Sequence, residues 1–136
     1  MNISAELLAE ILAHAKEQPT VEVCGLVAVK PGSSGSPAEA VRVHRAINIH
    51  ASALKFEIDG KEQLRLRRTI EDEEGCEIGA IYHSHVRSKP YPSQTDINFS
   101  ALWPGVEWII VGSAAGEEPE VCSYLIKDSI VEEVPI

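Results

Sequence analysis

Two histidines and an aspartate near the middle of the chain have the residue types and the spacing of a metal-ligand set. His83 and His85 follow a short apolar run that predicts a buried strand. Residues i and i+2 of a strand point to the same face, roughly 6.5–7 Å apart at Cα, so both imidazoles can reach one ion. Asp96 can return to that ion from the following loop. Three protein ligands leave one position of a tetrahedral ion for water, as in catalytic zinc sites.

Each of these residues also has an interpretation without a metal. A His-x-His pair can lie half exposed on a strand. The run Ser93-Gln94-Thr95-Asp96 follows a Pro-rich turn and has the form of a capping box, with Ser93 as N-cap and an acid in the first helical turn. The sequence pattern leaves both roles of Asp96 open.

Glu22 is the one charged residue of an otherwise mostly apolar stretch, 21–29, which predicts a strand. One interpretation is a solvent-facing charge at the start of that strand. The other is a general base for the water of a zinc site, the role that a non-ligand glutamate has in many zinc hydrolases. Cys24, two residues later, is predicted to be a small core side chain and not a nucleophile.

Apolar periodicity predicts the elements that position these groups. Predicted helices cover 4–18 and 61–73, and a third runs from near Ser93 to Pro104-Gly105. Predicted strands cover 21–29, 40–46, 54–58, 76–82, 106–112, 121–127 and 130–134. The Gly-, Ser- and Pro-rich segment 31–37 predicts a connector between two antiparallel strands, and Gly116 predicts a turn.

The remaining histidines are not expected to bind metal. His14 lies at the edge of the apolar face of the first helix, and we predict a solvated or capping side chain. His44 and His50 have no partners at ligand spacing, so both are predicted to lie on the surface.

Length and composition favour one domain over residues 1–136, of α/β or α+β class. With 12 basic and 21 acidic residues the net charge is −9, which argues against nucleic acid or an anionic membrane as partner. The arginines from Arg65 to Arg68 lie on a predicted helix. They form either a solvated face of that helix or a contact with the substrate. Three cysteines without C-x-x-C spacing, and no apolar stretch of membrane-spanning length, favour a cytoplasmic protein.

Taken together, these residues resemble a known signature. Glu22-x-Cys24-Gly25-Leu26, His83-Ser84-His85, Ser93 and Asp96 are similar in type and spacing to the motif of the JAMM (MPN-domain) metalloproteases. The motif spans 22–96, and the flanking elements fit the order of that fold. The resemblance implies an α/β (α+β) domain with a curved, mixed, cytidine-deaminase-like sheet flanked by helices.

Within the family, the chain resembles the small bacterial Mec-type peptidases, which release cysteine from the C-terminus of ubiquitin-like sulfur-carrier proteins. The further residues that carry this likeness are Phe56, Asp59, Glu62-Gln63-Leu64, Glu71-Asp72 and Tyr91-Pro92-Ser93-x-Thr95-Asp96. Val86 stands where many deubiquitinating members have proline, and 136 residues leave little room for the insertions that hold polyubiquitin.

The resemblance implies a role for each site residue. His83, His85 and Asp96 would hold one Zn²⁺ with a water, and Glu22 would take the proton of that water and return it to the leaving amine. Ser93 would donate a hydrogen bond to the oxyanion. This role and the helix cap would then compete for the one proton of the hydroxyl group.

The implied partner is a ubiquitin-like sulfur-carrier protein with a Gly-Gly C-terminus, and an oligomer is compatible with the pattern. Its tail would add as a strand along an exposed sheet edge, with 31–37 and 48–58 as walls. Two alternatives are a prokaryotic deubiquitinase-like isopeptidase and a non-catalytic MPN scaffold. Silent MPN domains usually lack a ligand, and this chain has all three.

Overall fold

A six-stranded mixed sheet forms the centre of the molecule, in the order β2-β1-β3-β4-β5-β6. The computed structural model describes residues 1–113 and 117–136. The strands are β1 Cys24–Lys30, β2 Glu39–Ala46, β3 Glu77–Ser84, β4 Glu107–Gly112, β5 Glu120–Lys127 and β6 Ile130–Val134. The helices are α1 Ala5–Glu17, α2 Gly60–Arg68 and α3 Gln94–Phe99, with a π-helical turn at Thr69–Glu73 after α2 and a 3₁₀ turn at Ser100–Leu102 after α3.

Side chains alternate between two apolar layers, one on each face of the sheet. One layer contains Leu26 and Ile81 and packs against Leu66 of α2. The other contains Val27 and packs against Ile11 of α1. This is the period-2 alternation expected of strands buried on both faces.

The strand β3 pairs antiparallel with β1 and parallel with β4. A parallel pair cannot be joined by a tight hairpin, so the chain crosses over between β3 and β4 through residues 85–106. That crossover contains α3, and the carboxyl end of β3 leads directly into it. The mixed sheet and flanking helices confirm the predicted α+β class.

Most of the predicted elements are confirmed, with shifted ends, and one strand is wrong. Residues 54–58 are irregular apart from a bridge between Asn48 and Ile58. The Asn48 side chain bonds the Lys55 carbonyl and the Glu57 amide, groups that a strand would offer to a neighbouring strand. The predicted helix over 61–73 changes to π-helical geometry at Thr69.

Three smaller predictions have different outcomes. His14 is buried, and its Nδ1 lies 2.7 Å from the Tyr82 hydroxyl, so the solvated interpretation is wrong. The connector 31–37 joins the antiparallel strands β1 and β2 as predicted. The turn predicted at Gly116 lies outside the described residues. Within those residues, no helix combines the length and apolar character needed to cross a bilayer.

Candidate metal centre and active site

The His-x-His pair lies at the carboxyl end of β3, where the central strand of the sheet leaves its neighbours. His83 is paired with Cys24 of β1 and with Ile110 of β4. His85 follows the last residue of β3, and its amide still donates to the Val111 carbonyl at 2.7 Å. Both histidines therefore keep the strand geometry that places their rings on one side of the sheet.

Three donor atoms converge at this point. His83 Nε2 and His85 Nε2 lie 3.1 Å apart, and each lies 3.2 Å from Asp96 Oδ2. A tetrahedral zinc ion bound at about 2.0–2.1 Å holds its ligand atoms about 3.3–3.4 Å apart, close to this triangle. Among the residues that the structure describes, these three form a group able to hold a metal ion.

The neighbours of the two imidazoles favour metal binding through Nε2. His85 Nδ1 donates to the Lys89 carbonyl at 3.0 Å, which leaves the Nε2 lone pair free toward the ion. The His83 ring is fully buried and stacks on Phe56, with centroids 4.5 Å apart, and meets Trp108 edge-on. Its Nδ1 has no hydrogen-bond partner within 1–113 and 117–136. Packing therefore orients the His83 ring, whereas a carbonyl orients that of His85.

Asp96 combines the two roles that the sequence left as alternatives. It is the third residue of α3, and its Oδ2 accepts from the Ser93 amide at 2.9 Å while facing both imidazoles. Burial pushes its pKa up, but hydrogen bonds from His83 and His85 outweigh burial and hold the pKa well below its usual range. A carboxylate that stays ionised in a buried place is suited to a divalent cation.

Glu22 lies beside this group on the neighbouring strand. Because Cys24 pairs with His83 in an antiparallel ladder, the continuation of that register places Glu22 next to His85. Its side chain is buried, so the solvent-facing interpretation is wrong. Burial is the largest cause that raises its pKa, to about 7; His85 opposes the rise and Asp96 adds to it. A carboxyl group with this pKa can both take and return a proton near neutral pH.

Ser93 caps α3 without using its own proton. Its Oγ accepts from the Asp96 amide at 3.1 Å, as the Ser93 amide donates to the Asp96 carboxylate. The predicted competition for one proton is therefore wrong, because the cap uses a lone pair of the hydroxyl. The proton remains available for a substrate oxygen.

Cys24 is fully buried, and burial raises the pKa of its thiol to about 12. The prediction of a core side chain is confirmed. A thiol with this pKa remains protonated at neutral pH and is a poor nucleophile.

The two predicted walls of the site have opposite outcomes. The segment 48–58 lies at the site, since the Glu22 amide donates to the Ser52 carbonyl at 2.8 Å and Phe56 stacks on His83. The connector 31–37 follows Lys30, at the far end of β1 from Cys24, so it cannot form a wall. The strand has seven residues, so its two ends lie six steps apart, about 20 Å at 3.3 Å per residue.

The structure adds Asn48 to the residues that sequence reasoning had singled out. Its side chain bonds the Glu22 carbonyl at 3.0 Å. The signal available in the sequence was an asparagine ahead of an aromatic-containing stretch, which by itself predicts only a turn.

Comparison with known proteins agrees with this geometry. Residues 4–127 match the family described as prokaryotic homologs of the JAB domain. The chain is 33% identical over 137 residues to the CysO-cysteine peptidase of Mycobacterium tuberculosis, covering 98% of this chain and 88% of that protein. It is 34% identical over 116 residues to the desampylase of Haloferax volcanii, covering 81% of this chain and 78% of the relative.

Solved structures give the same result. A solution structure of a protein from Desulfitobacterium hafniense matches with a TM-score of 0.81 and 28% identity, covering 97% of this chain and 88% of that one. The crystal structure of a JAB1/MPN domain protein from Archaeoglobus fulgidus, 24% identical, shares the fold with a TM-score of 0.61, covering 100% of this chain and 96% of that one. With the family match over most of its length, the expected fold is confirmed, and the chain belongs to the prokaryotic homologues of the JAB domain.

Proposed function

We propose that this protein is a zinc-dependent peptidase that cleaves after the C-terminal glycine of a ubiquitin-like sulfur-carrier protein and releases cysteine. The observation that carries the proposal is the convergence of His83, His85 and Asp96 beside the buried Glu22. The relative named CysO-cysteine peptidase supports the choice of substrate, since the likeness covers 98% of the chain.

Zinc fits the proposed site because two imidazoles and one carboxylate are a common ligand set of catalytic zinc. Once bound, it supplies a Lewis acid that polarises the scissile carbonyl and lowers the pKa of water. Glu22 then takes the proton of the attacking water and delivers it to the leaving amine. Ser93 Oγ–H donates to the carbonyl oxygen as negative charge develops there.

The surface beside the site supports a protein substrate. The segment that follows β2 exposes three large apolar side chains, Ile47, Ile49 and Leu54, the last of them 85% accessible. Exposed apolar side chains on a segment that borders the site favour a folded partner that covers them. We propose that the carrier docks its folded part here while its tail enters the cleft.

The desampylase relatives favour a second candidate, a prokaryotic isopeptidase that acts on protein conjugates. The chemistry of the site is the same, and the two candidates differ in the leaving amine. The alternative of a non-catalytic scaffold lacks support. The ligand triangle is intact and a buried carboxyl group lies beside it, and a non-catalytic domain requires neither.

The test incubates zinc-loaded protein with a carrier ending in Gly-Gly-Cys and follows the carrier mass. We expect the loss of one cysteine from this carrier and no change in a matched carrier ending in Gly-Gly. A conjugate with lysine attached to the terminal glycine through its ε-amine tests the second candidate. Wild-type protein that holds about one zinc per chain and leaves both substrates intact would contradict the proposal.

Glu22→Ala separates proton transfer from metal binding. We expect hydrolysis to fall about 10²–10⁴-fold, the usual contribution of a general base, while zinc content remains at one per chain. Elemental analysis of the purified variant measures the metal. Loss of zinc in this variant would mean that Glu22 is a ligand.

A further inference from the structure

The side-chain amide of Asn48 uses its full hydrogen-bonding capacity within the active-site region. Its Nδ2 donates to the Glu22 carbonyl at 3.0 Å and to the Lys55 carbonyl at 2.9 Å. Its Oδ1 accepts from the His50 amide at 3.1 Å and from the Glu57 amide at 3.2 Å. Two donors and two acceptor sites are all that a primary amide offers, and apart from the longer glutamine no other side chain combines them.

These contacts join two pieces of backbone that strand pairing leaves unsupported. Glu22 precedes β1, which begins at Cys24. The segment 49–57 is irregular. Both main-chain polar groups of Glu22 bond to this region, the carbonyl to Asn48 and the amide to the Ser52 carbonyl at 2.8 Å. The position of the Glu22 backbone therefore depends on the segment 49–57, whose backbone is bonded to the Asn48 side chain.

The same segment orients a ring of the proposed metal site. Phe56 adjoins the Lys55 carbonyl that Asn48 holds, and its ring stacks on His83 at 22°. His83 Nδ1 has no acceptor among the described residues, so the orientation of this ring depends on packing. Movement of Phe56 would therefore be transmitted to His83.

We propose that Asn48 is a positioning residue, which fixes the general base Glu22 and the ligand His83 relative to each other through the segment 49–57. The inference rests on the proposed function for the roles of those two residues. In this role Asn48 acts through Glu22 and His83 and not by contact with the reacting atoms. Because misplacement by about 1 Å can cost 10²-fold in rate, loss of this contact set lowers the rate of the bound complex. Substrate binding also weakens where the carrier docks on Ile49 and Leu54 of the same segment.

Two substitutions test different parts of the contact set. Asn48→Ala removes all four hydrogen bonds. Asn48→Asp keeps the acceptor for the His50 and Glu57 amides, loses both donors, and places a carboxylate oxygen against the Glu22 and Lys55 carbonyls. Asn2→Ala is the matched control, because Asn2 is exposed, bonds to Glu39, and lies beside β2 at the end of the sheet remote from the site.

Trypsin provides a readout that needs neither substrate nor metal. Lys55 is exposed, and its carbonyl belongs to the peptide bond that trypsin cuts. We expect cleavage after Lys55 to be at least about 10-fold faster in both Asn48 variants, as local opening predicts. Cleavage after Arg42, in the middle of β2, is the internal reference for global unfolding and should stay at the wild-type rate.

Kinetics on the zinc-loaded proteins completes the test. We expect kcat to fall about 10–100-fold in both variants, beside any rise in KM, and zinc to remain at one per chain. The control should match the wild type in every measurement. If Asn48→Ala does not fold, Asn48→Asp alone decides the result.

Three results would overturn the inference: cleavage after Lys55 at the wild-type rate, kcat within twofold of wild type, or a loss expressed in KM alone. Failure of the proposed function is distinguishable from these. In that case wild-type protein leaves the carriers intact, while the proteolysis still reports whether Asn48 holds the segment.

Discussion

The hydroxyl of Ser93 accepts a hydrogen bond from the Asp96 amide and keeps its proton for another partner. The sequence pattern predicted the helix cap at this position, and the family resemblance implied the oxyanion donor. Neither showed that the two roles use different parts of one hydroxyl group, because the direction of a hydrogen bond depends on backbone geometry. The same is true of Asp96, whose Oδ2 serves the cap and the proposed metal together.

Ser93→Ala should lower kcat about 10²–10³-fold, as removal of an oxyanion donor does, and cost about 1 kcal/mol of stability through the lost cap. The matched control is Ser4→Ala, which removes the equivalent cap of α1, where Ser4 Oγ accepts from the Leu7 amide. Peptidase kinetics and thermal unfolding of both variants measure the two effects. Equal kcat values in the two variants would exclude Ser93 as an oxyanion donor.

Ser93→Thr keeps both the cap and the hydroxyl proton. We expect this variant to recover most of the activity lost in Ser93→Ala. A threonine variant as slow as the alanine variant would assign the effect to steric change at the start of α3.

Glu22 should make the stability of the metal-free protein depend on pH. Burial raises its folded-state pKa to about 7, so the folded state prefers the neutral carboxyl. The stability associated with that preference is complete below the ordinary glutamate pKa and is lost as pH rises through about 7. At pH 8.5, Glu22→Gln should therefore be more stable than wild type, by up to about 3 kcal/mol.

At pH 5 this difference should shrink to less than about 1 kcal/mol, because Glu22 is then neutral in the folded state and is ionised only in the unfolded chain. Thermal unfolding of chelator-treated protein at the two pH values measures it, with Glu10→Gln at an exposed position of α1 as control. A stability difference that is the same at both pH values would contradict the expected ionisation of Glu22.

At the scale of elements, the strands of the sheet were predictable because each combines apolar character with turn residues at its ends. Residues 54–58 have the same alternation, yet they are irregular because Asn48 bonds their backbone. The connector 31–37 was predicted as a wall of the site, but the pairing of Cys24 with His83 puts it at the opposite end of β1. Local sequence does not contain the register of strands that are distant along the chain.

The proposed metal should stabilise the junction between β3 and α3. Its ligands lie on both sides of the turn 86–92, so a bound ion ties the end of the strand to the start of the helix. Metal present at about 1,000 times its dissociation constant contributes about 4 kcal/mol to the free energy of unfolding. For a domain of this size, we expect the removal of zinc to lower Tm by about 10 °C or more.

Differential scanning calorimetry with and without chelator measures this change. His85→Ala is the matched control, since a chelator should have little effect on the Tm of a protein that lacks one ligand. A wild-type Tm that does not respond to the chelator would contradict the proposed metal site.

At the scale of the whole molecule, every part of the site lies on one sheet or on a segment that adjoins its strands. The continuous order from β2 to β6 and the two apolar layers favour a single cooperative domain over residues 1–136. The fold class and the family were predictable from the sequence, because the motif residues occur together in one pattern over 22–96. The acidic balance of the chain, with a net charge of −9, is consistent with a protein substrate.

Metal-free protein should unfold in one two-state transition. We expect the calorimetric enthalpy to equal the van't Hoff enthalpy, and far-UV circular dichroism and tryptophan fluorescence to give coincident curves. The fluorescence comes from Trp108 in the sheet interior and from Trp103 in the turn after α3. Fluorescence and circular dichroism curves that do not coincide would show independent units.

The order of the site residues along the chain also has a consequence for folding kinetics. The proposed ligand His83 lies in β3, and His85 and Asp96 follow within the first part of the crossover to β4. Glu22 comes from a third, sequence-distant piece of chain. Contacts of such high sequence separation form late, because loop closure costs entropy before the pairing is formed. The ligand triangle is local in sequence, whereas Glu22 reaches it only when β1 pairs with β3, so a refolding chain should take up metal before it recovers activity.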